Sequence, residues 1–181
     1  MKAVYSNTIE IKDYKPIYED NGKWYVCFDY NEIMIEADPV LEHGKFVKSN
    51  SMTSTGMCNY SYICYTLKPS LAMIKNDLEE IINNNVKNKI TNGFIWKNYN
   101  IYLSTENQMN YKANFELAVQ TDGKNLPFRI KAEKNGKIEY LVFFGINELK
   151  DFYIAMTKHI NNALEFGWQQ KDAIDYSVYS I

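Results

Sequence analysis

An α+β fold is what this chain predicts: a β-rich N-terminal piece over residues 1–68, a connector helix over 69–92, and a β-β-α-β-β-α-α module over 93–181 with its helices packed on an antiparallel sheet. Three observations carry the prediction. Aromatic and β-branched residues gather in short, partly alternating runs before residue 68. Apolar residues then recur at three- and four-residue spacing from Leu71 to Ile90. Beyond Gly93, hairpin turns and helix caps succeed one another at short intervals.

Tyr5 to Tyr14 alternates around Ile9 and Ile11, and Lys23 to Tyr30 is dense in strand-forming side chains. These are expected as two strands joined through the Asp20-Asn21-Gly22 turn, with Ile33 to Glu36 extending the sheet. Asp38-Pro39 is expected as a turn, and Ser49 to Ser61, rich in Ser, Thr and Asn and without periodicity, as a long loop of the kind that makes contacts. Tyr60 to Leu67 reads as a further strand. Pro69 suits the first position of the connector helix, whose stripe is Leu71, Ile74, Leu78, Ile81, Ile82, Val86 and Ile90, and Gly93 marks its end.

In the module, Phe94 to Trp96 and Tyr99 to Leu103 form a hairpin about Lys97-Asn98. Ser104 caps a helix carrying Met109, Ala113, Phe115, Leu117 and Ala118, which stops before Asp122-Gly123. Phe128 to Ala132 and Ile138 to Phe143 flank Asn135-Gly136, a strong short-range hairpin signal. Asn147 is expected to cap a helix bearing Leu149, Phe152, Tyr153, Met156, Ile160 and Leu164, ending at Gly167 before a last short helix over 168–176.

Composition excludes several function classes. A net charge of −2 with a single arginine, Arg129, lacks the positive field that phosphate backbones require, so nucleic acid is not an expected partner. No stretch of some 18 apolar residues exists to span a bilayer, so no membrane is expected either; the charged start lacks a signal peptide's apolar stretch, and the chain is read as soluble and not exported. Cys27, Cys58 and Cys64 are odd in number and irregularly spaced, which suits reduced, inert thiols rather than a disulfide framework.

Chemistry-bearing sets are equally sparse. His159 falls beside Lys158 where a solvent-facing imidazole is the simple expectation, and His43 has no nucleophile near it in sequence, although pairing with Cys58 or Cys64 would make a cysteine enzyme. The Cys58-x5-Cys64 spacing does not match a zinc site. Asp20, Asp29, Glu32, Glu36 and Asp38 lack the alternate-oxygen spacing of a calcium loop and read as a solvated rim. No phosphate-cradling glycine loop is present. No cofactor and no catalytic or metal-binding residue is therefore expected. The candidates are aromatic residues at turn and edge positions suited to protein contacts: Trp24, Tyr60, Tyr62, Trp96, Tyr99 and Trp168. Trp96 and Trp168 also suit core anchoring, and that reading is favoured for both.

Within Gly93 to Ala173 lie Gly93-Phe94-Ile95-Trp96, Tyr102-Leu103-Ser104-x-x-Asn107-Gln108, Asn147-Glu148-Leu149, Ala155-x3-His159, Gly167-Trp168 and Lys171-Asp172-Ala173-Ile174. The segment resembles a family of phage-borne C-terminal domains of unknown function found on tail-fibre, tail-fibre-assembly and other virion-associated proteins. Gln169-Gln170 depart from it, the family tending to carry a basic residue there. The composition, rich in Asn, Lys, Ile and Tyr, is similar to that of crAss-like gut phages. The resemblance implies a non-enzymatic structural or adaptor protein of a tailed-phage virion (capsid decoration, head fibre, neck or tail), assembled in the host cytoplasm. Other virion proteins and further copies of the chain are its expected partners, and the N-terminal piece its attachment region. A transient tail-fibre assembly chaperone is the alternative.

Overall fold

The computed structural model describes residues 2–36, 40–42, 45–47 and 52–180. In chain order it contains β1 (Val4–Glu10), a 3-10 turn (Ile11–Asp13), β2 (Ile17–Asp20), β3 (Lys23–Glu36), β4 (Val40–Glu42), β5 (Lys45–Val47), β6 (Met52–Tyr65) and α1 (Leu71–Asn92). There follow β7 (Phe94–Trp96), β8 (Tyr99–Ile101), α2 (Thr105–Gln120), β9 (Phe128–Lys134), β10 (Lys137–Phe143), α3 (Ile146–Asp172) and a second 3-10 turn (Tyr176–Tyr179). The fold is α+β with antiparallel sheets, as predicted. It forms two compact units, residues 1–78 with 175–181, and residues 79–174. The boundary falls inside α1 rather than at its ends. Ile74 and Leu78 at the start of the helix are buried, and Asp77 Oδ2 accepts from Tyr65 Oη of β6 at 2.7 Å, which ties those turns to the first unit. The helix itself begins after Pro69, where the Ser70 hydroxyl accepts from the Met73 N–H at 3.3 Å.

The first unit is built on a four-stranded sheet of order β1-β6-β3-β2, with β4 and β5 as a separate pair. Its first hairpin joins β2 to β3, not the first strand to β3. Asp20 pairs with Lys23, and Asn21 and Gly22 both have positive φ, 50° and 74°, the geometry whose twist matches the flanking strands. β1 stops at Glu10 because Ile11–Asp13 turns as a 3-10 helix. The segment expected as a loop, Ser49 to Ser61, is from Met52 onward the central strand β6. It pairs with β1 from Val4↔Ile63 to Glu10↔Met57 and with β3 from Trp24↔Tyr65 to Glu36↔Met52. Two ladders satisfy its backbone groups on both sides, and that outweighs the weak strand preference of Ser and Asn. The expected Asp38-Pro39 turn and His43 lie outside the described residues.

β3 carries a bulge. Phe28 pairs with Ser61 and Asn31 with Asn59, so Asp29 and Tyr30 together oppose Tyr60. Asp29 takes the left-handed backbone this requires, with φ 53°. On one face of the sheet Val26, Ile63 and Tyr65 are buried. Across the chain, the buried Tyr179 donates its hydroxyl to Cys27 O at 2.9 Å, which anchors residues 175–180 to β3.

The second unit layers α2 and α3 on one face of a sheet of order β10-β9-β8-β7. Both hairpins use left-handed two-residue turns, Lys97-Asn98 (φ 47° and 67°) and Asn135-Gly136 (φ 52° and 74°). The core joins Phe94, Ile101 and Leu103 to Ile130, Ala132 and Phe143, closed over by Tyr111 and Ala118 of α2 and by Leu149, Phe152 and Met156 of α3. Ser104 caps α2 as expected, its hydroxyl accepting from Asn107 N–H at 3.2 Å. Ser104→Ala is expected to lower the stability of this unit by about 1 kcal/mol, read as a shift of the urea midpoint at unchanged slope.

Three details of the helices differ from expectation. The buried stripe of α2 is Tyr111 and Ala118 with Phe115 beside them, while Met109 and Leu117 are exposed; residues 111, 115 and 118 share a face that 109 does not. The N-cap of α3 is Gly145 rather than Asn147. α3 also runs through Gly167 to Asp172, without a second helix. Gly167 is a point of close approach, where a Cβ would lie 2.4 Å from Val86 Cγ2.

Candidate functional site

Register places a continuous row of tyrosines on one face of the first unit's sheet. Directly opposed residues in antiparallel strands share a face, so Tyr18↔Tyr25, Tyr5↔Tyr62 and Asn7↔Tyr60 all point the same way. The rings touch in sequence: Tyr18 stacks on Tyr25 with centroids 4.9 Å apart, Tyr25 meets Tyr62 at 5.6 Å, and Tyr62 stacks on Tyr5 at 5.3 Å. Tyr60 lies 6.2 Å from Tyr62 and 5.5 Å from Tyr14, which in turn meets Tyr30 at 4.7 Å. Two predicted residues, Tyr60 and Tyr62, are thus brought together at the centre of this face, Tyr60 buried and Tyr62 half-buried. The other five were missed. Their signal was the alternate spacing of Tyr60 and Tyr62 in a segment half assigned to a loop.

The remaining predicted residues are dispersed. Trp24 is half-buried on the opposite sheet face, with Lys68 Nζ 5.3 Å from its ring centroid. Trp96 is half-buried edge-on to Phe152 at 5.8 Å, and its buried Nε1 has no hydrogen-bond partner among the described residues. Tyr99 is half-buried under Lys134, whose Nζ is 4.6 Å from the ring centroid. Trp168 is 59 % exposed on α3, which corrects the core-anchor reading; Gly167, not Trp168, is the residue turned inward.

The second unit presents its own uncovered surface. Ile95, Tyr102, Ile138 and Tyr140 are 68, 56, 59 and 63 % exposed. Residues 95, 138 and 140 alternate with the core residues of their strands and so lie on the sheet face away from α2 and α3. Beside Tyr102 and Ile138 is a depression of about 310 Å³ edged by Lys131, Glu133 and Asn107.

Among the groups weighed for catalysis, His159 is half-buried. Its Nε2 donates to Lys89 O at 3.0 Å and its ring lies 5.4 Å from that of Phe94. Cys27 and Cys58 are buried free thiols and Cys64 is a half-buried one. Among the described residues no group of three His, Cys, Asp or Glu is placed to hold a metal ion, and no helix is long and apolar enough to cross a membrane.

Burial pushes the Cys27 thiol from its ordinary value near 9 up to about 12. Burial, then the nearby Cys27 and Asp29, push the Tyr179 hydroxyl up to about 12. Burial raises Tyr14 and Tyr65 as well. These acids stay protonated in the fold at a pH where the unfolded chain has already released its protons. Their contribution is therefore complete below about pH 9 and is lost as pH climbs from 9 towards 12. The first unit's melting temperature is expected to fall across that window, in step with the rise of tyrosinate absorbance.

Comparison with known protein families, with curated proteins and with solved structures returned no match.

Proposed function

We propose that the chain is a non-enzymatic structural or adaptor protein of a tailed-phage virion, working through protein–protein contacts with other virion proteins and with further copies of itself. The observation that supports this most is the open sheet face of the second unit. Ile95, Ile138 and Tyr140 stand largely in water there, with the exposed Tyr102 just past β8, in the segment whose residues resemble virion-associated domains. Exposed aliphatic and aromatic side chains interspersed with charged and polar ones, here Lys131, Glu133 and Asn100 on the middle strands, are compatible with a contact surface.

Peptide mass spectrometry of purified particles tests the reading, with copy number taken relative to the major capsid protein. A fixed stoichiometry in the particle is the expected result. Abundance in the lysate with absence from particles would overturn it in favour of the assembly chaperone. The contact surface is tested separately with Ile138→Lys and Tyr140→Lys, expected to abolish incorporation while leaving the melting temperature of the isolated chain within a few degrees, since both side chains are already solvated.

A further inference from the structure

On the tyrosine-lined face of the first unit lies a cleft of about 280 Å³ that the protein-contact reading does not use. Its apolar wall is formed by Tyr18, Tyr60 and Ile9, from β2, β6 and β1. Its rim is polar, with Asn7, Asp13, Lys15 and Glu19. The wall is set before any ligand arrives: Tyr18 lies on Tyr25 with their planes 11° apart, and Asn7 Nδ2 donates to Tyr60 Oη at 3.0 Å. The Tyr18 hydroxyl is held in its neutral form first by burial and then by its neighbour Tyr60. The rim retains bonding capacity. Asp13 and Lys15 have no side-chain hydrogen bond or ion pair among the described residues, and Glu19 accepts from Gly22 N–H through Oε1, at 2.9 Å.

These features select a ligand chemistry. A sugar ring offers an apolar C–H face, which suits the electron-rich face of a tyrosine, and a belt of hydroxyls that each donate and accept. Carboxylates, an amide and an ammonium side by side meet that belt from both directions. An apolar ligand would instead leave the rim groups buried and unpaired, and one lysine against two carboxylates gives no field to attract phosphate or sulfate. The volume lies just below the usual range of small-molecule pockets and suits a single ring. We infer that this cleft is a binding site for one ring of a neutral saccharide, stacked on Tyr18 beside the buried Tyr60 and hydrogen-bonded by Asp13, Lys15 and Asn7.

The site stands independently of whether the chain belongs to a virion. The test is amide-resonance NMR on the full chain, titrated in turn with the methyl glycosides of glucose, galactose, mannose, rhamnose, N-acetylglucosamine and N-acetylgalactosamine, and with a capped pentaglycine. At least one glycoside is expected to shift the resonances of Asn7, Asp13 and Tyr18 with a Kd on the order of millimolar, as befits a ligand of about a dozen heavy atoms. Asp13→Ala and Lys15→Ala, both at exposed positions, are expected to weaken that affinity by about tenfold each without moving the melting temperature. The inference fails if no glycoside shifts these resonances at tens of millimolar, if the shifts map elsewhere, if Asp13→Ala binds as tightly as the parent, or if the peptide alone binds.

Discussion

Phe152→Ala is expected to destabilise the second unit by about 3–5 kcal/mol, the range for removing a large aromatic from a core that cannot close over the void. Phe152 has no exposed surface, and its ring meets four others: Phe143 at 5.0 Å, Tyr111 at 5.5 Å, Phe94 at 5.7 Å and Trp96 at 5.8 Å. Those rings come from β10, α2 and β7, so one side chain on α3 holds three other elements in register. Each tilted or edge-on pair adds about 0.5–1.5 kcal/mol beyond buried area, and all four go together. Equilibrium urea unfolding measures the loss, with Phe144→Ala as control, since that side chain is 76 % exposed and its removal should change stability by less than about 0.5 kcal/mol. A Phe152→Ala loss near that of the control would show that the ring cluster does not organise the core.

Gly167→Ala should be destabilising by about 1–3 kcal/mol, against the general rule. Replacing glycine by alanine inside a helix ordinarily stabilises by roughly 0.5–1 kcal/mol, because the unfolded chain has less freedom to lose. Gly167 lies within α3, so propensity alone predicts a gain. Packing reverses the sign, since the new methyl would sit 2.4 Å from Val86 Cγ2 and 3.8 Å from Ile82 Cγ2 of α1. Val86→Ala removes the nearest atom, so Gly167→Ala/Val86→Ala should be more stable than the sum of the two single changes implies, with a coupling of about 1 kcal/mol or more in a double-mutant cycle. Additivity in that cycle would mean the two helices separate at little cost.

Where local chemistry decides the outcome, the sequence was legible. Asn135-Gly136, Lys97-Asn98 and Ser104 each act through their own backbone geometry or a bond to a residue three positions on, and all lie where spacing put them. Where a partner distant in the chain decides, it was not. Asn59 and Ser61 sit in a strand because Thr8, Ser6, Asn31 and Phe28 lie opposite them, and nothing within a few residues announces those neighbours. Gly167 is a helix stop by local rules and a close-packing residue only because Val86 faces it. The tyrosine face follows the same division. Tyr60 and Tyr62 stood out individually, but gathering Tyr5, Tyr18 and Tyr25 around them required the sheet order β1-β6-β3-β2, which alternation along single strands does not encode.

The return of residues 175–180 to the first unit, fastened by Tyr179 on Cys27, has a consequence for birth order on the ribosome. Synthesis runs from the N-terminus, and the N-terminal domain ordinarily folds first. Here β1, β3 and β6 emerge early, yet the hydroxyl that satisfies the Cys27 carbonyl is made last, after the whole of residues 79–174 has been translated. In sequence, the second unit is an insertion between the strands of the first unit and the segment that returns to them. The unit whose translation begins first therefore cannot make its Tyr179–Cys27 hydrogen bond until all of residues 79–174 have been added to the chain.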